Sequence, residues 1–122
     1  MKHYLSIARN VLEIPRRIRE DENLSLISAL DATGYGLVYD QIGVSELMSA
    51  LYEDITFIDD WIQYSEDKRV PQGWYFKRID GAAVVGFNAP HQRSAETMSF
   101  VNAQEACATF VKLEVESIRG EE

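Results

Sequence analysis

Trp74-Tyr75-Phe76-Lys77-Arg78-Ile79, Asp80-Gly81, Ala82-Ala83-Val84-Val85-Gly86-Phe87 is the stretch that decides the fold. Two runs rich in β-branched and aromatic residues flank an Asp-Gly pair. Both central residues of a two-residue type I′ turn need positive φ, which Asp and Gly tolerate, so the stretch predicts a tight antiparallel hairpin. That turn sets the register: Ile79 opposite Ala82, Phe76 opposite Val85, Trp74 opposite Phe87. Side chains alternate along a strand, so Trp74, Phe76, Ala83, Val85 and Phe87 share one face that must be buried. The other face is mixed, with Tyr75, Lys77 and Val84. A two-stranded hairpin is marginal alone, so a third strand or a helix has to cover it.

The chain downstream offers both. Thr97-Met98-Ser99-Phe100-Val101 has strand composition. Asn102 with Glu105 three residues on is a capping-box signature, with Val101 and Ala106 placed as a hydrophobic staple. Apolar residues then run at helical spacing from Ala103 through Phe110 and Val115 to Gly120. Upstream, Pro71-Gln72-Gly73 breaks the chain before the hairpin.

The amino-terminal half reads as helices. Tyr4, Ile7, Ala8, Val11 and Leu12 fall on one helical face, and Pro15 should end or kink that helix. A short helix is expected near Asn23, with Leu24, Ile27 and Leu30 inward and Gly34 as its stop. Residues 31–43, with three glycines, read as irregular. Ser45 is a plausible N-cap for a helix with Val44, Leu47, Met48, Leu51, Ile55, Ile58 and Ile62 on its buried side. Trp61-Ile62-Gln63-Tyr64 also suits the start of a strand. The fold class expected is α+β: N-terminal helices, a small antiparallel three-stranded sheet with a central hairpin, and a C-terminal helix packed on it. Residues 1–122 are expected to form a single domain.

Charge is distributed unevenly. Residues 20–67 hold twelve carboxylates and no Lys or Arg, whereas residues 1–19 carry five basic residues against Glu13. Residues 68–122 are balanced, and the whole chain is −8. On a single long helix Glu46, Glu53 and Asp60 lie seven apart, opposite the apolar side, with Asp54 and Asp59 beside them. That arrangement predicts an acidic ridge. Glu53, Asp54, Asp59, Asp60, Glu66 and Asp67 are the candidate partner-binding residues, with Tyr64 as an aromatic anchor. The competing reading is a solvated acidic face with no specific role.

The composition disfavours direct binding to nucleic acid or anionic lipid, both of which need a basic footprint. No apolar run approaches the roughly 20 residues of a membrane-spanning helix, and the N-terminus does not read as a signal peptide. One cysteine, Cys107, precludes an internal disulfide and suits a reducing compartment, so the expected location is cytoplasmic. It falls on the inward side of the last helix and reads as a buried structural thiol. His3 and His91 have no metal-ligand spacing. The Asp59-Asp60 and Glu66-Asp67 pairs match no cation loop, and neither a phosphate-binding glycine loop nor a nucleophile elbow is present. No catalytic residue, metal or cofactor is expected.

Three pieces in order carry a resemblance: Trp61 through Arg69, then Gly73-Trp74-Tyr75-Phe76 leading to Val84-Val85-Gly86-Phe87, then Glu105 through Val111. Together they resemble small acidic bacterial immunity proteins, including those that accompany contact-dependent growth inhibition and related polymorphic toxins. The resemblance covers the last half of the chain. It implies a cytosolic protein that binds and neutralises one toxin domain, often a nuclease, whose basic surface would meet the acidic one. An acidic adaptor or regulatory domain unrelated to toxins is the alternative, and a small enzyme is a third.

Overall fold

The computed structural model describes residues 2–67, 73–88 and 97–120. His91 and the Pro71-Gln72 break lie outside the described residues, as does the side chain of His3. Among the described residues six helices precede the sheet: α1 (Lys2–Leu12), α2 (Ile14–Glu20), α3 (Leu26–Thr33), α4 (Tyr35–Val38), α5 (Val44–Glu53) and α6 (Thr56–Asp67). Strands β1 (Gly73–Ile79), β2 (Ala82–Asn88) and β3 (Thr97–Phe100) follow, and α7 (Ala103–Gly120) closes the fold. The architecture is α+β, as expected.

The hairpin forms in the anticipated register, with Ile79 opposite Ala82, Phe76 opposite Val85 and Trp74 opposite Phe87. Asp80 and Gly81 adopt φ of 51° and 83°, as the type I′ turn demands. β3 pairs antiparallel with β2, so the sheet order is β1-β2-β3. Phe76, Ala83 and Val85 are buried on the inner face. Phe76 stacks on Phe110 of α7 with centroids 5.7 Å apart, and Trp74 meets Phe87 edge-on at 4.9 Å. On the outer face the Tyr75 ring lies across Gly86, where an added Cβ would overlap the phenol. The glycine is needed for that close approach. α6 covers the outer edge of β1, and Ser65 Oγ accepts the Phe76 N–H at 2.8 Å.

α7 is the centre of the molecule. Ala106, Cys107 and Ala108 are consecutive and all fully buried, because one side of α7 packs on the sheet and another on α5. Asn102 Oδ1 accepts the Glu105 N–H at 3.1 Å and caps the helix. The expected staple does not form: Val101 is fully exposed and has left the face that carries Ala106.

The break expected at Pro15 is present, and the helical half departs from the simple periodic reading in three places. α1 stops at Leu12 and α2 restarts at Ile14, with Pro15 in its first turn, where a missing N–H is harmless. Trp61 Nε1 donates to the Leu12 carbonyl at 3.0 Å, tying α6 to this junction. α3 is capped by Ser25 Oγ and turns Ala29, Leu30 and Thr33 inward, leaving Ile27 exposed. Gly34 ends α3 in the left-handed region at φ 85°, as expected. Residues 31–43 are not all irregular: α4 lies within them and plunges Tyr35 into the core. Finally, α5 begins after Gly43 rather than Ser45, because Glu46 Oε1 reaches back to the Gly43 N–H at 2.8 Å.

Candidate partner-binding surface

The single acidic helix is two helices. Asp54 leaves helical geometry at φ −151°, ψ 94°. Its carboxylate accepts the N–H of Thr56 at 3.1 Å and the Thr56 hydroxyl, restarting the chain as α6. Those bonds, the hydroxyl first, pull the Asp54 carboxyl below its ordinary range. The restart changes the helical phase. Phe57, Ile58 and Trp61 now face the core, and Ile55, expected inside, is 59% exposed. Of the two readings open for Trp61–Tyr64, helix and strand start, the structure has helix throughout.

A continuous acidic ridge does not survive this break. Glu46 is used as a cap. Asp60 is turned toward α2, where its side chain is 14% exposed, against 79% for its neighbour Asp59. One Asp60 oxygen accepts from Arg16 Nε and the other from Arg19 Nη2, the latter at 2.8 Å. Arg16 also reaches Thr56 Oγ1 at 2.7 Å and lies over the Phe57 ring at 4.3 Å, while Arg19 extends to Gln63 Oε1 at 3.4 Å. The basic amino-terminal segment is therefore laid along the acidic one and neutralises its centre.

Tyr64 is withdrawn too. Its ring packs edge-on against Trp61 at 5.0 Å and Phe110 at 6.4 Å. Its hydroxyl donates to the buried Glu114 at 2.6 Å. Burial, then the Glu114 charge, pushes the phenol pKa far up. Tyr64 is half-buried against the core, with its hydroxyl committed to Glu114.

The carboxylates that stay open fall into two groups. Asp59 and Glu66, with Gln63 between them, are spaced i, i+4, i+7 and share an exposed stripe of α6. Asp67 adjoins it. Asp59 has Arg78 only at 4.0 Å, and Glu66 and Asp67 make no ion pair among the described residues. These last two are the last described residues of α6. The second group is Glu53 with Asp54 at the α5–α6 corner. Glu53 has a loose contact with Arg9 at 3.8 Å. A shallow groove of about 270 Å³ opens beside it, lined by Leu5, Ser6, Arg9 and Glu53. Tyr52, 58% exposed, stands on the same corner.

A second polar cluster pins α4 to α7. The buried Tyr35 donates to Glu116 Oε2, and Lys112 Nζ donates to Tyr35 Oη at 2.6 Å and to the Tyr39 carbonyl at 2.7 Å. Arg119 Nη2 donates to Glu116 at 2.8 Å and its guanidinium covers the Tyr39 ring at 3.7 Å. Burial, helped by Glu116, raises the Tyr35 pKa, and the Arg119 bond holds Glu116 below the usual carboxylate range. Burial, against a smaller opposing pull from Arg78, raises the Cys107 pKa strongly, so its thiol is kept protonated. Among the described residues, no group of three or more His, Cys, Asp or Glu is placed to hold a metal ion. Among the same described residues, no helix is long and apolar enough to cross a membrane.

No family model, curated protein or solved structure matches the chain. The surface has to be read from its own chemistry. Sequence periodicity missed Ile55, because the apolar rhythm runs through the break. The signal that marks the break is Asp54 two residues ahead of Thr56, an arrangement that favours a local turn over helix.

Proposed function

We propose that the chain is a binding protein of the immunity type, which neutralises a toxin domain bearing a basic surface. The supporting observation is the residue of open charge. After Arg16 and Arg19 are committed to Asp60, the carboxylates Glu53, Asp59, Glu66 and Asp67 remain exposed with weak partners or none among the described residues. A nuclease-type toxin needs a basic cleft for phosphates, and this acidic stripe fits such a cleft by sign. Association would be steered by charge and would slow steeply as salt rises. A reducing cytoplasm suits the free Cys107.

Co-expression tests the proposal. The gene of an immunity protein lies directly beside that of its toxin. The chain should rescue cells expressing that neighbour, and Asp59→Lys with Glu66→Lys should weaken the rescue and reduce the salt dependence of association. Rescue unaffected by both reversals would remove the acidic stripe from the interface. A neighbouring gene that is harmless without the chain would favour the adaptor reading.

A further inference from the structure

We draw no further inference here: the strongest candidate, the outer edge of β3 with its uncharged run Thr97-Met98-Ser99-Phe100 and the exposed Val101 that follows it, carries nothing because nothing among the described residues shows what covers it.

Discussion

Asp60→Asn is the sharpest probe of how the two oppositely charged segments are joined. The Asp60 carboxylate receives one guanidinium on each oxygen, from Arg16 and Arg19. A hydrogen bond to a charged group contributes roughly 1.5–3 kcal/mol when well sheltered. Here the arginine side chains are 37% and 48% exposed, so solvent screens much of that. The amide keeps one acceptor and loses the charge, and a net loss of about 2 kcal/mol is expected. With an unfolding entropy of about 2.1 cal/mol/K per residue, that lowers Tm by about 8 °C. Urea and thermal unfolding of Asp60→Asn, Arg16→Gln and the double variant would measure it. The double-mutant cycle should return a coupling of at least about 0.5 kcal/mol, shrinking in high salt. A loss below about 0.5 kcal/mol for Asp60→Asn, or strict additivity with Arg16→Gln, would refute the clamp. Asp59→Asn, one residue away and open to solvent, should leave stability within about 0.5 kcal/mol of the parent.

Three further outcomes are expected. Gly86→Ala should displace the Tyr75 phenol, so its effect on stability should differ by at least about 0.5 kcal/mol between the parent and a Tyr75→Ala background; equal effects in both, by chemical denaturation, would contradict the packing. Cys107 should resist a thiol reagent in the native protein and react fully in denaturant, and Cys107→Ser should be destabilising by about 1–3 kcal/mol as a hydroxyl enters an apolar site. Stability should fall in acid: the Glu116 carboxyl, held by Arg119 and Tyr35, titrates below its ordinary 4.5 when folded, so its contribution is present above that value and disappears as pH drops through the depressed one. Glu116→Gln should flatten that acid limb in a pH series of unfolding curves.

The parts of the fold that were legible are those set by neighbours in the chain. Asp80-Gly81 admits few turns, and once the turn is known the pleat places Phe76 and Val85 together without further information. Asn102 and Gly34 announce helix ends by their own chemistry. The helical half depends on contacts between distant residues. The apolar rhythm from Leu47 to Ile62 is equally consistent with one helix or two; Asp54 two residues ahead of Thr56 is the local mark of the break, and the fit of Trp61 to Phe110 and the Leu12 carbonyl completes it. The candidate surface shifted for the same reason. A count of charges along residues 20–67 carries no record of which carboxylates the arginines of α2 will reach. Asp60 and Asp59 look identical in sequence and have opposite situations in the fold. Tyr64 carried an ambiguous signal, and the buried carboxylate of Glu114, fifty residues away, drew it inward.

The position of α7 has a consequence for how the protein is made. The helix that fills the space between the sheet and α5 is the last of the described elements to leave the ribosome. Until it arrives, α5 can pack on α1 but not on its second neighbour, and Phe76 lacks the Phe110 ring on which it stacks. From the completion of β2 until α7 is released, the nascent chain therefore carries two half-built apolar surfaces, and the core closes only with that helix. A translation stall just before Ala103 would leave those surfaces open to chaperones, proteases or aggregation.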